Sequence, residues 1–240
     1  MKITITNGKG GTGKTTLMTV LAEFLYRNNQ KVLVIDLDAN CSISEIYGKV
    51  LQEQTSRLLL TGQAVSPYNV KTSPVTTGGR LDIIPSELNL SMISNLKDTQ
   101  LKFELKKLGL ESDYDYILID PPGTWSAMTR NAVNAADTVV VCGKCSPLDF
   151  VATQNFLQEL AECCLDSDVF VVCNAYNKAR DPNGIWQKYQ EEFTDYLIKE
   201  PVPQLNSFQR IVFDNDYKIR ADVESRVTGF INAITGKEWK

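Results

Sequence analysis

An α/β fold with a doubly wound, mostly parallel sheet flanked by helices is the expectation for this 240-residue chain. Three observations lead to it. Short apolar runs rich in β-branched residues recur along the chain, amphipathic stretches of helical spacing lie between them, and the runs are apolar on both faces. Strands covered by helices on both sides need that last property. Parallel neighbours also need a crossover connection, which the intervening helices supply. No internal repeat or low-complexity segment breaks the alternation, so residues 1–240 are expected to form one domain.

Taken in order, residues 2–7 and 31–36 read as buried strands, the second as Lys-Val-Leu-Val-Ile-Asp. Residues 81–85, 115–120, 137–142 and 168–174 read the same way. The Thr/Gly-rich stretch 72–80 is a turn between two strands. Helical spacing marks 15–28, 86–96, 98–109, 125–136, 149–164, 184–198 and 222–235. In the first of these Leu17, Val20, Leu21, Phe24 and Leu25 make one stripe. Cys163 and Cys164 end the fifth and read as core.

Composition narrows the chemistry. The chain has no histidine, which excludes an imidazole base, a Ser-His-Asp triad and any histidine metal ligand. Proton transfer must use carboxylate, lysine, cysteine, tyrosine or water. Net charge is −4, with 25 Lys+Arg against 29 Asp+Glu, so a constitutive nucleic-acid binder is not indicated by the total. Hydrophobic residues make up 43%, yet no run approaches the length of a membrane span and no export signal opens the chain. The six cysteines are therefore expected to be reduced, in the cytoplasm.

One motif carries the chemistry. Gly8-Lys9-Gly10-Gly11-Thr12-Gly13-Lys14-Thr15 fits Gly-x-x-x-x-Gly-Lys-[Ser/Thr], after a strand and before a helix. Glycines let successive backbone N–H groups curl around phosphate oxygens, and the helix N-terminus adds partial positive charge. Lys14 is expected at the β- and γ-phosphates, the Thr15 hydroxyl on Mg²⁺, and Thr16 at the α-phosphate. Downstream, Tyr116-Ile117-Leu118-Ile119-Asp120 is an apolar strand ending in a carboxylate for Mg²⁺.

Lys9-Gly10-Gly11-Thr12-Gly13-Lys14-Thr15-Thr16 resembles the deviant Walker A loop of the ParA/MinD group of P-loop ATPases. The second lysine, Lys9, is the discriminating residue. Further resemblances are Asp36-Leu37-Asp38, Leu81-Asp82-Ile83-Ile84-Pro85-Ser86, Asp120-Pro121-Pro122-Gly123-Thr124 and Ser146-Pro147-Leu148-Asp149-Phe150. The last is nearest to the short plasmid partition ATPases. The resemblance spans about residues 2–175. It implies ATP and Mg²⁺ as cofactors, an ATP-sandwich homodimer in which Lys9 touches the partner's phosphates, and Asp38 as the residue that positions the attacking water. It also implies Asp36 in support of the magnesium shell. The family continues Pro-Gln-Gly-Asn after this Asp-x-Asp, where this chain reads Ala39-Asn40-Cys41-Ser42. From the residues alone, Asp38 also reads as the N-cap of a helix over 42–53. Asn174 is a candidate adenine reader or a loop cap, and Pro203 a candidate near adenine.

The resemblance further implies non-specific DNA as a partner of the ATP-bound dimer, and a centromere-binding or cargo adaptor protein that stimulates hydrolysis. Nucleoid association follows. Arg210, Lys218, Arg220 and Arg226 are the candidate DNA contacts, although residues 178–240 balance ten Lys/Arg with ten Asp/Glu. No N-terminal helix-turn-helix is expected, since the first strand begins at residue 2. Two alternatives stay open: a MinD-like positioning ATPase on membranes, and a ParA-like accessory ATPase of conjugation. For the first, Val227, Phe230, Ile231 and Ile234 form an apolar stripe without a basic polar face, so core packing is favoured and membrane association is not expected. Cys142 and Cys145 have metal spacing, but one such pair supplies only two ligands.

Overall fold

The computed structural model describes residues 1–73, 78–163, 166–181, 183–204 and 221–239, with side chains in the last stretch from Val227 onward. Seven strands form one sheet: β1 (Lys2–Thr6), β2 (Lys31–Asp36), β3 (Tyr68–Thr72), β4 (Arg80–Ile84), β5 (Tyr116–Asp120), β6 (Thr138–Lys144) and β7 (Asp168–Asn174). Their spatial order is β3-β4-β2-β5-β1-β6-β7. All neighbours pair parallel except β3, which runs antiparallel to β4 at the edge. The doubly wound parallel sheet expected from the alternation is the observed fold.

Period-2 alternation sorts the apolar side chains into two faces. Ile3, Ile5, Val32, Val34, Leu118, Val140 and Val172 face helix α1 (Lys14–Arg27) and the last helix, Ala221–Thr235. Leu33, Ile35, Ile117 and Ile119 face the opposite way. There they meet α3 (Ser56–Leu60), α4 (Gln100–Lys107) and α6 (Ala127–Ala135). Val139, Val141, Val171 and Cys173 pack against α7 (Pro147–Ala161) and α8 (Ile185–Glu192). Two shorter helices, α2 (Ser42–Ile46) and α5 (Leu110–Asp113), complete the set up to α8. The last helix is α9.

Several helices are shorter than their apolar spacing suggests. The stretch 86–96 holds only a 3-10 turn, Leu90–Met92. Only Leu90 of its apolar residues is buried, while Leu88 and Met92 are exposed, so no continuous face exists to stabilise a helix. Gly109, at φ 71°, separates α4 from α5. Residues beyond α8 leave the helix because Tyr196 O and Ile198 N hydrogen-bond β7 at Val171. The helix expected over 42–53 stops at Ile46, two residues before Gly48 at φ 62°. Cys163 is half-buried rather than core, and Cys164 lies outside the described residues.

The apolar stripe of α9 is spent on the core: Val227, Phe230, Ile231 and Ile234 are all buried against the α1 side. Trp239 then folds back onto Phe24, with ring centroids 5.7 Å apart. Among the described residues, no helix is long and apolar enough to cross a membrane. Phe230→Ala should cost about 3–5 kcal/mol, the usual penalty for a buried phenylalanine. Equilibrium denaturant unfolding checks this, and an unchanged midpoint would show that α9 is not integral to the core.

Candidate functional site

Parallel pairing places the carboxyl ends of β1, β2, β5, β6 and β7 along one edge, where open α/β sheets bind ligands. The glycine-rich loop between β1 and α1 sits at this edge. Asn7 anchors its start: Nδ2 donates to the Cys142 carbonyl at 2.9 Å, and Oδ1 accepts the Lys9 N–H at 3.1 Å. The far end is tied through Thr12, whose carbonyl accepts Asn174 Nδ2 at 2.8 Å and Cys142 Sγ at 3.5 Å. Gly13, at φ 97°, is required twice over. Its conformation is left-handed, and a Cβ there would lie 2.3 Å from Asn174 Nδ2. A Cβ on Gly10 or Gly11 would meet nothing within 4 Å, so the loop is open toward the edge. The first turn of α1 has no side-chain cap, which leaves its N–H groups for an anion.

Lys14 is buried at the base of this loop, with Nζ donating to the Lys9 carbonyl at 3.1 Å. Burial lowers its pKa, opposed by the carboxylates of Asp120 and Asp38. Gly123 closes over it: a Cβ there would be 3.0 Å from Lys14 Nζ and 3.2 Å from Gly10 Cα. Thr15 Oγ1 donates to Asp120 Oδ2 at 3.0 Å. The other Asp120 oxygen is buried without a hydrogen-bond partner. Burial, then the neighbouring Asp36, holds the Asp120 carboxyl well above the usual carboxylate range. An orphaned carboxylate oxygen beside a threonine hydroxyl suits a hard divalent cation such as Mg²⁺.

Asp36 lies opposite Asp120 in the β2–β5 register. Its carboxylate is fully buried and occupied by its own loop. Oδ1 accepts the Asp38 N–H at 3.0 Å, and Oδ2 accepts the Ser44 N–H at 3.1 Å and the Ser44 hydroxyl at 2.6 Å. Burial pushes its pKa up to about 6. Asp38 is half-buried, and its Oδ1 accepts the Asn40 N–H at 2.9 Å. It therefore makes a local Asx turn and does not cap α2, whose N-cap is Cys41.

Lys9 reaches across the loop to Asp149, with Nζ–Oδ2 at 2.8 Å. Asp149 is buried and also accepts the Ser146 hydroxyl, while Ser146 accepts the Asp149 N–H at 3.2 Å as the N-cap of α7. The Ser-Pro-Leu-Asp motif thus does two jobs, starting α7 and holding Lys9.

The remaining candidates fall unevenly. Asn174 spends its amide on the Thr12 carbonyl, so it braces the loop rather than standing free to read a base. Pro203 is bridged to Tyr176, which lies just past the end of β7. Cys142 is pushed up to about 12 by burial, and Cys145 up to about 11. Both are protonated thiols, and among the described residues no group of three or more acidic or cysteine side chains could hold a metal ion. Arg210, Lys218 and Arg220 lie outside the described residues, as does the side chain of Arg226. Sequence reasoning gave no role to Asn7, Ser44, Gly123 or Asp149. Asn7 had a signal in its position just before the loop, and Asp149 one in its motif. Ser44 and Gly123 are found only by contact.

A family model described as an AAA domain matches residues 1–166. The chain is 29% identical over 216 residues to the sporulation initiation inhibitor protein Soj of Bacillus subtilis, a match covering 84% of this chain and 83% of Soj. Among solved structures it resembles a putative plasmid partition protein of Borrelia burgdorferi bound to AMPPNP. That likeness has 25% identity and a TM-score of 0.78, over 97% of this chain and 99% of the other. It also shares its fold with pNOB8 ParA bound to nonspecific DNA, at 20% identity and a TM-score of 0.69, over 98% and 94% of the two chains.

Because the native state holds Asp120 protonated above its ordinary range, it binds more protons than the unfolded chain across that interval. Stability contributed there falls as pH rises. Asp120→Asn should therefore stabilise the ligand-free protein, by a margin that grows as pH rises from the ordinary carboxylate range toward the raised native pKa. Thermal melts across that range check this, and a margin independent of pH would refute it.

Proposed function

The chain belongs to the AAA-domain family, in its ParA/MinD branch of P-loop ATPases, and from that premise we propose that it is a dimerising Mg-ATPase that partitions or positions DNA. The observation that carries the reading is the Thr15–Asp120 contact at the foot of an open glycine loop, with one buried carboxylate oxygen unpartnered. Thr15 and Asp120 would hold Mg²⁺, which neutralises charge on the phosphates when bound. The backbone N–H groups of residues 10–16 and the Lys14 ammonium bind and orient the triphosphate. Asp38 orients the attacking water as a fixed acceptor, the part played by glutamine in other NTPases.

Lys9 supplies the switch. Within one chain its ammonium is neutralised by Asp149. To act on a partner's phosphates it must leave that carboxylate, and a triphosphate is the stronger anionic competitor. The ATP-bound dimer is thereby distinguished from the free subunit by where one lysine points. DNA binding belongs to that dimer, which presents two weak surfaces at once and gains by avidity. An adaptor protein on the cargo stimulates hydrolysis and resets the cycle. The nucleoid is the place of action. Reading this chain as a DNA partner is supported by the nonspecific-DNA complex of pNOB8 ParA.

Lys9→Ala should bind ATP within about threefold of the wild type and lose ATP-driven dimerisation. Calorimetry and light scattering read the two, and a normal ATP dimer would remove Lys9 from the interface. Retention of fluorescent non-specific duplex tests the DNA role. Binding should require ATP, be absent with ADP, and fall by roughly 10³-fold between 50 and 200 mM salt for a footprint of six or more phosphates. No retention in any nucleotide state would leave an ATPase whose cargo is not DNA.

A further inference from the structure

Ser44 occupies the centre of a buried relay that no nucleotide contact explains. Its hydroxyl donates to Asp36 Oδ2 at 2.6 Å and accepts the Ser86 N–H at 3.0 Å, and its own N–H donates to the same Asp36 oxygen at 3.1 Å. Ser44, Asp36 and Ser86 are all essentially inaccessible to solvent. Ser44 begins no strand and lines no loop of the phosphate site. It sits on α2 and joins that helix to the ends of β2 and β4, the last through Ser86.

The segment so clamped is the one that bears Asp38. Its two ends, at Asp38 N–H and at Ser44, converge on the two oxygens of a single carboxylate. Between them lies Cys41 at φ 56°, a left-handed conformation for a residue with a Cβ. Such a conformation is disfavoured for a residue with a Cβ and persists only where the surroundings over-determine it. The Cys41 N–H donates to the Asp38 carbonyl at 2.8 Å, and the Asn40 N–H holds Asp38 Oδ1 at 2.9 Å. The direction of the Asp38 carboxylate is thus set by the curvature of the loop. That curvature is strained, and the clamp at Asp36 and Ser44 opposes its relaxation.

We propose that Ser44 is a positioning residue for ATP hydrolysis, acting through Asp36 to hold the strained 37–44 loop and with it the carboxylate of Asp38. This rests on the reading of Asp38 as the residue that orients the attacking water. Asp36 is then the anchor of the loop. Ser44 touches neither substrate nor metal, so its loss should change turnover and leave binding alone. Removing the hydroxyl leaves the Ser86 N–H and one Asp36 oxygen each short of a partner inside the protein, and the loop relaxes toward a geometry without positive φ. A misdirected carboxylate orients water poorly, while the glycine loop, Lys14 and Thr15 are untouched.

The test is single-turnover hydrolysis of labelled Mg-ATP with protein in excess, together with calorimetric ATP affinity and stoichiometry. Wild type, Ser44→Ala, Ser44→Thr, Ser44→Cys and Asp38→Ala are compared. Ser44→Ala should lower the hydrolysis rate tenfold or more per bound ATP, with affinity within twofold of wild type. Ser44→Thr, which keeps the hydroxyl, should restore the rate to within threefold. Should Ser44→Ala fail to fold, Ser44→Cys, with its weaker donor, should still hydrolyse at least fivefold slower per bound ATP. A wild-type rate per bound ATP in Ser44→Ala, or in Ser44→Cys if only that variant folds, overturns the proposal. So does a loss that appears only as weakened affinity. The readings beneath it fail separately: an inert wild type would sink the ATPase assignment, and a wild-type rate in Asp38→Ala would sink the role of Asp38.

Discussion

Parallel pairing of β1 with β5 on one side and β6 on the other is the constraint from which the rest follows. It forces three carboxyl ends to one edge of the sheet. From β1 emerges the glycine loop, from β5 the carboxylate of Asp120, and from β6 the backbone to which Asn7 is tied. The crossing helix α1 must start at that edge as well, so its unpaired N–H groups point where the loop opens. β2 joins on the far side of β5 and brings Asp36 level with Asp120. Asn7, Asp36 and Asp120 each stand at or next to the end of a strand paired on both sides.

The same arrangement leaves electrostatic strain in the ligand-free molecule. Lys14 is buried and its pKa lowered, and Asp120 is buried and its pKa raised. Each charged form lacks a full set of partners. A polyphosphate beside the lysine and a divalent cation beside the carboxylate would relieve both together, which is how a site of this kind binds the two ligands as a unit. The Lys9–Asp149 pair differs, because its charge is already satisfied within the chain. In the dimer we propose, the lysine would leave that carboxylate only for a stronger anion, so the difference between the two states would be located at one side chain.

Strain of another kind sits in the 37–44 loop. At Cys41 the chain keeps a left-handed turn without glycine, and it does so under the clamp of a buried carboxylate and a serine. The departure from Pro-Gln-Gly-Asn changes the residues yet leaves a tight turn that carries Asp38. The last helix teaches the opposite lesson about similarity. An apolar stripe that could lie on a membrane instead joins the core on the face of the sheet that α1 covers, because Phe230 and its neighbours have apolar partners there.

The strands, the parallel sheet and the phosphate loop were legible in the sequence for one reason: each is encoded locally. Period and composition mark a buried strand. The spacing of Gly8, Gly13, Lys14 and Thr15 is itself the geometry of the phosphate cradle, and an apolar run ending in Asp120 marks a strand end. What tertiary structure alone decided depends on contacts between distant segments. The stretch at 86–96 has helical spacing, but Leu90 is its one fully buried apolar side chain. Residues 193–198 leave their helix because the edge of β7 offers backbone partners. Asn174 stands at a strand end, where the sequence allows it to face a base or the loop, and the Thr12 carbonyl, 162 residues away in the chain, takes it for the loop. That the Ser44 hydroxyl donates to Asp36, eight residues back, is likewise seen only in the folded chain. A carboxylate's position along the chain follows from sequence, but which donors fill its lone pairs is fixed only when the chain has closed around it.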